Sequence, residues 1–294
     1  LGLFVAITGF SIMISEDGNS WTEVLNFGSA EYYTGGSVSW SRELGIVLAY
    51  FYNGNTGYSP WLYTSTDGQN WTKQVLTHPL QSSQAISYSL VANPCWSPEL
   101  GIFTSGDAIS RDGINWTWGF GLPYALSIAW SSKLRVFVAV DYYGIGYYSY
   151  DGLTWIVNNY TSPGYGTFQS VTWSPKLGLF VGVGTGFFGL PFKAYTSPDG
   201  INWTQVFSRT SGAESAQVIW SPELGLFVAM CREIYQVDKM SVFTSPDGTT
   251  WSLSTSFDYN FNPSNLTWAP QLGKFAAATQ GTSGVLVSSA SKTF

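Results

Sequence analysis

The sequence has 294 residues and is poor in the side chains on which catalysis and metal binding usually rest. It holds one histidine, two cysteines and three methionines, and charged residues make up only 10% of it. Cys95 and Cys231 show no paired spacing, which excludes a disulfide framework and the usual Cys/His zinc patterns. They are expected to be free, buried thiols. The only histidine, His78, lies in Thr-His-Pro with no Gly-x-Ser-x-Gly elbow nearby, so no hydrolytic triad is expected. Twelve basic residues against eighteen acidic ones give a net charge of −6. The basic residues are not clustered, and aromatic rings do not bind single strands without a cationic groove, so nucleic acid is excluded as a partner. No run of about 18 apolar residues exists, and no helix is expected to cross a membrane. No metal and no cofactor are expected.

Aromatic residues, by contrast, reach 17% of the chain, with 14 Trp, 18 Tyr and 19 Phe, and hydrophobic residues reach 45%. That composition is too apolar for a disordered chain and suits sheets that bury rings on both faces. A single domain of this length buries roughly three quarters of its unfolded surface and needs no covalent staples.

Two phrases recur throughout. One reads Ser-Pro-Asp-Gly-Ile-Asn-Trp at 197–203, and returns at 65–71, 245–251 and, more loosely, 15–21, 110–116 and 149–155. The other reads Trp-Ser-Pro-Lys-Leu-Gly-Leu-Phe-Val at 173–181 and precedes each copy of the first. Its leucine falls at Leu1, Leu44, Leu100, Leu134, Leu177, Leu224 and Leu272, at intervals of 34 to 56 residues that average about 45. Seven units of that length match four-stranded propeller blades. In unit five the strands are expected to end at Trp173 and to span 179–183, 193–197 and 203–207. Pro and Gly shape the turn between the first two, and Asp-Gly shapes the turn between the last two. No segment has a convincing helical period. The chain is therefore expected to be all-β: one seven-bladed β-propeller domain over 1–294, with four-stranded antiparallel blades near 1–35, 36–91, 92–125, 126–168, 169–215, 216–263 and 264–294. A six-bladed ring is the alternative. The first unit lacks its first strand and the last lacks its fourth, and the chain enters the repeat partway, which predicts further residues upstream.

The Ser-x-Asp-Gly-x-x-Trp phrase resembles the Asp-box, or BNR repeat, of sialidases and related propellers, without the spacer between Asp and Gly. Together with the Trp-Ser-Pro-Glu-Leu-Gly phrase, it is most similar to repeat propellers of giant viruses, large phages and environmental microbes. The resemblance covers essentially the whole chain. The physical role follows from the residues themselves. Asp17, Asp67, Asp112, Asp151, Asp199 and Asp247 are expected to accept backbone N–H bonds in the turn, and the following glycines to take φ > 0. Trp21, Trp71, Trp116, Trp155, Trp203 and Trp251 are expected to wedge between neighbouring sheets.

Loops after strands one and three are nearly constant between units, whereas loops after strands two and four vary. Alternate loops of a meander emerge on opposite faces, so one face is scaffold and the other is the place for recognition. The candidate binding residues on the variable face are Tyr52, Asn53, Tyr58, Trp61, Tyr142, Tyr143, Phe187, Phe188, Tyr235 and Asp238. Rings beside polar groups suit a glycan or a protein partner. A sialidase resemblance implies an arginine triad. This chain has five arginines, and Arg42, Arg111 and Arg135 stand in the repeat turns, which leaves Arg209 and Arg232. A glycosidase of another type needs two carboxylates roughly 5–10 Å apart, for which Asp141, Glu233 and Asp238 are the candidates. The reading that follows is a non-catalytic binding or structural module in an extracellular or virion or appendage-surface setting. A sialidase-like glycoside hydrolase and a segment of a longer surface fibre are the alternatives. Asn-x-Thr sequons at Asn70, Asn115, Asn159, Asn202 and Asn265 give capacity for glycosylation.

Overall fold

A computed structural model describes residues 2–7, 11–27, 33–53, 61–74, 94–119, 122, 125–141, 143–158, 168–185, 191–233, 239–258, 263–279 and 285–288. Every regular element among them is a β-strand. Unit one contains β1 (Phe4–Ile7), β2 (Ser11–Ser15) and β3 (Thr22–Asn26). Unit two contains β4 (Tyr33–Ser41), β5 (Ile46–Asn53), β6 (Trp61–Ser65) and β7 (Thr72–Gln74). Unit three contains β8 (Cys95–Ser97), β9 (Ile102–Thr104), β10 (Ala108–Ser110) and β11 (Trp116–Trp118). Unit four contains β12 (Ala125–Ser131), β13 (Val136–Asp141), β14 (Gly146–Ser149) and β15 (Ile156–Val157). Unit five contains β16 (Ser170–Ser174), β17 (Leu179–Gly184), β18 (Pro191–Ser197) and the first half of β19 (Thr204–Ser221). Unit six takes the second half of β19 with β20 (Leu226–Glu233), β21 (Lys239–Ser245) and β22 (Ser252–Asp258). Unit seven contains β23 (Pro263–Ala269), β24 (Lys274–Thr279) and β25 (Val285–Val287).

Each unit is an antiparallel meander in sequence order. The register repeats: Trp130 opposes Phe137, Trp173 opposes Phe180 and Trp220 opposes Phe227, with each Trp ring against its partner Phe. Five residues after the turn leucine, strand two of every unit but the third carries a small side chain: Ala6, Ala49, Ala139, Gly182, Ala229 and Ala277. Gly182 shows why, since a Cβ there would sit 2.1 Å from the Phe168 ring.

One boundary differs from the expected one. Strand four of unit five does not end near 207: β19 runs on as strand one of unit six and links the two meanders into a seven-stranded sheet. The linking residues contain no proline, the strand changes partner between Gly212 and Ala213, and a bulge follows at Ser215, whose φ is +52°.

The core lies between units rather than inside one. Phe192, Phe243 and Trp251 join units five and six, Val138 and Phe180 join four and five, and Met230 and Phe275 join six and seven. The first and last units meet as well. Gly18 of unit one packs against Val287 of unit seven, and Lys274 Nζ donates to the carbonyl of Asp17 at 2.8 Å.

Candidate functional site

The Asp-Gly turns form one repeated clasp. In unit five the buried Ser197 hydroxyl donates to Asp199 Oδ1 at 3.0 Å and accepts the N–H of Gly200 at 2.8 Å. The same Oδ1 accepts the N–H groups of Ile201 and Asn202, both at 2.8 Å, and Oδ2 accepts the Asn202 side-chain amide at 2.8 Å. Trp203 closes the loop by donating Nε1 to the Gly200 carbonyl at 3.1 Å. Asp17, Asp67, Asp112, Asp151 and Asp247 accept the corresponding backbone pair at 2.7–2.8 Å. These bonds favour the carboxylate: the N–H groups of Ser20 and Asn19 hold Asp17 down to about 2. Asp67 is held lower still, first by the Asn70 side chain. Trp155 is the exception. Its Nε1 is buried without a partner, and the Gly152 carbonyl accepts Thr104 Oγ1 of unit three at 2.6 Å.

A second network runs between units. The indole N–H of Trp96 donates to Glu43 at 2.7 Å, Trp130 to Glu99 at 2.6 Å and Trp268 to Glu223 at 2.6 Å. Each acid belongs to the turn of the preceding unit. Nearer the centre, the Ser127 hydroxyl accepts the N–H of Val171, and the Ser170 hydroxyl accepts that of Val218, both at 3.1 Å.

Of the candidate residues on the variable face, Tyr58, Tyr142, Phe187, Phe188, Tyr235 and Asp238 lie outside the described residues. Tyr52 and Asn53 end β5, opposite Gly35 and Tyr33. Trp61 opens β6 and is half-buried in the cluster shared by units one and two. Lys73 Nζ stands 2.8 Å from its ring centroid, so one face of that indole is already occupied by a cation. Tyr143 is 40% exposed and lies two residues beyond the end of β13.

Two of the candidate acids, Asp141 and Glu233, are engaged by other side chains. Asp141 is buried, accepts the N–H groups of Tyr143 and Ile145 at 2.9 and 2.8 Å, and accepts the Tyr147 hydroxyl at 3.0 Å. Desolvation raises its pKa despite those donors, and burial together with the Asp141 charge pushes the Tyr147 phenol up. Glu233, two units away, pairs with Arg209 at 3.1 Å and accepts the Ser241 hydroxyl. The Arg209 guanidinium also lies 5.2 Å from the Phe243 ring centroid. Asp141 thus organises its own unit, whereas the Arg209–Glu233 pair ties the unit-five half of β19 to unit six. Both cysteines are free, and desolvation pushes the Cys95 thiol up to about 12. Among the described residues, no group of three or more His, Cys, Asp or Glu is arranged to hold a metal ion.

Sequence reasoning did not find the central cavity. It holds about 670 Å³ and is lined by the innermost strands of units two, four, five, six and seven together with residues 2–7 of unit one. The available signal was the missing first strand of unit one.

No protein-family model and no curated protein matches the sequence. Solved structures do. The GH74 xyloglucanase from Xanthomonas campestris superimposes with a TM-score of 0.70 at 12% identity, over 98% of this chain and 50% of that one. A chain of a nidogen/laminin complex gives 0.54 at 13% identity, over 97% and 88%. YCF48 bound to D1 peptide gives 0.57 at 16% identity, over 95% and 86%. At these identities the likeness shows the fold, a β-propeller.

Proposed function

We propose that this propeller has seven blades and is a non-catalytic binding module, whose variable loop face recognises a protein or glycan partner. One observation carries the reading. The clasp carboxylates are held in their own turns, and Asp141 and Glu233 are held by Tyr147 and Arg209, while Tyr143 on the variable face is 40% exposed. A protein partner is favoured over a sugar, because Lys73 already covers one face of the Trp61 indole. Proteins of the same fold in complex with laminin and with a peptide support it. An extracellular, virion or appendage surface is the proposed setting. A displayed-peptide library and a glycan array, each probed with the native protein and with Tyr143→Ala, test the face. Ligands that bind both proteins equally remove it from the reading. Release of reducing sugar from xyloglucan by the native protein, lost in Glu233→Ala, establishes the hydrolase alternative instead.

A further inference from the structure

We infer that the scaffold face carries two neighbouring carboxylate sites, Trp173 with Lys133 and Trp220 with Lys176, which together seat an acidic segment of a partner polypeptide. In three other units the acid of the preceding turn accepts the indole N–H of the strand-one Trp: Glu43 from Trp96, Glu99 from Trp130 and Glu223 from Trp268, at 2.6–2.7 Å. Lys133 and Lys176 stand in the place of that acid before Trp173 and Trp220. Both indole nitrogens are buried without an acceptor, on side chains only 8% and 6% exposed. One comparison narrows the difference to a single residue of the turn. The turns at 174–178 and 221–225 differ only in Lys176 against Glu223, yet Trp268 has its acceptor and Trp220 does not.

A lysine cannot accept a hydrogen bond, so each site holds two donors, an indole N–H and an ammonium, and no acceptor. The ammonium also lies differently from the carboxylate it replaces. Lys133 Nζ is 3.1 Å from where a Cβ on Gly178 would be, and Lys176 Nζ is 3.0 Å from one on Gly225. Gly101 and Gly273, in the turns that follow Trp96 and Trp268, have nothing within 4 Å of such a Cβ. Each lysine thus reaches the Leu-Gly turn that follows its Trp. Among the described residues neither ammonium meets an acid. Both lysines are exposed, as is Arg135 in the turn of Lys133, so three cations mark this arc of a chain whose net charge is −6. A carboxylate entering from solvent takes the position that Glu43, Glu99 and Glu223 occupy and bridges the two donors through charge-assisted hydrogen bonds. The Trp–Glu bonds of the other units lie at the surface, and exposed side chains change rotamer rapidly, so a swing of the lysine opens the way in. Two such sites in consecutive units favour a chain bearing several carboxylates over a single small acid.

NMR of the indole N–H resonances reads each site directly, with Trp173→Phe and Trp220→Phe assigning the two that matter among 14 tryptophans. An oligoglutamate peptide, sodium acetate and sodium phosphate are titrated separately into the native protein at low salt. Peptide and acetate should both move the Trp173 and Trp220 resonances and leave those of Trp96, Trp130 and Trp268, which already hold an acceptor, in place. The peptide should act at a carboxylate concentration lower by about tenfold or more, since one chain fills both sites. Added salt should weaken it. Lys176→Gln should weaken the response at Trp220 severalfold, and Lys176→Glu should abolish it by filling the site from within. Tyr143→Ala should change nothing, which separates these sites from the variable face. Resonances of Trp173 and Trp220 that stay still, equal movement of all the indoles, a peptide no tighter than acetate, or phosphate tighter than acetate overturns the proposal.

Discussion

The indole N–H of Trp96 reaches the carboxylate of Glu43 in the preceding unit at 2.7 Å, and this bond shows how the repeat carries its own defects. The acid is present before Trp96, Trp130 and Trp268, but Lys133 and Lys176 replace it before Trp173 and Trp220. Those two indole N–H groups are buried without a partner. An ammonium has no lone pair to offer.

Lys176→Glu should therefore give Trp220 an acceptor and stabilise the fold by about 1 kcal/mol, with Lys133→Glu acting likewise at Trp173. Glu223→Ala should cost a similar amount by orphaning Trp268. Thermal melts of the three variants check this, and a Lys176→Glu protein no more stable than its parent counts against the inter-unit bond.

A clasp glycine and a Leu-Gly turn glycine separate two effects. Gly200 has φ +78°, and a Cβ there would lie 2.4 Å from Val138 Cγ2 of the preceding unit. Gly273 has φ +62° with nothing within 4 Å of such a Cβ. Gly273→Ala should cost only the left-handed backbone, about 1 kcal/mol. Gly200→Ala adds overpacking and should cost roughly 2–4 kcal/mol. Chemical denaturation curves of the pair measure the difference.

Acid should loosen all the clasps together. The folded-state pKa of Asp17 is lowered to about 2 by the N–H groups of Ser20 and Asn19. A lowered carboxyl pKa contributes stability that is fully present above the unfolded value of about 3.9 and is lost as pH falls through the folded value. The melting temperature should hold level from pH 7 to about 5 and fall between about 4 and 2. A plateau that persists to pH 2 contradicts this.

Trp155 offers a matched comparison inside the clasp itself. Its Nε1 has no partner, whereas Trp251 donates to the Gly248 carbonyl at 3.0 Å. Replacing either by Phe removes the N–H and some ring area. Trp251→Phe should be the more destabilising by about 1 kcal/mol, read from paired melts.

The clasp was legible in sequence because it is local: Ser197, Asp199, Gly200 and Trp203 all lie within one turn, and each does something a single residue type does well. Even so, the serine hydroxyl as acceptor for the glycine N–H, and the indole N–H as the closing donor, went unread. The repeat period and the Trp–Phe register likewise follow from pattern. The Trp–Glu bonds do not, since their partners are 31 to 53 residues apart and meet only once the order of units in space is known. Nor does the passage of β19 through two units, because nothing in its composition marks a stop. The variable face was read from loop length alone, which says where variation sits but not which way a ring such as Trp61 packs.

Ser37 is the final test of the inter-unit register. Its hydroxyl is buried without a partner, although Ser127 and Ser170, in the same position, accept N–H groups from Val171 and Val218. The residue that should supply the N–H to Ser37 is Pro94, two before Trp96 as Val171 is two before Trp173, and proline has none. Burying a hydroxyl unpaired costs free energy that deleting it recovers. Ser37→Ala should therefore stabilise the protein by about 1 kcal/mol, while Ser170→Ala should destabilise it by leaving the Val218 N–H orphaned. Melts showing both substitutions destabilising to the same degree would break the equivalence between Pro94 and the two valines, and with it the register between neighbouring units.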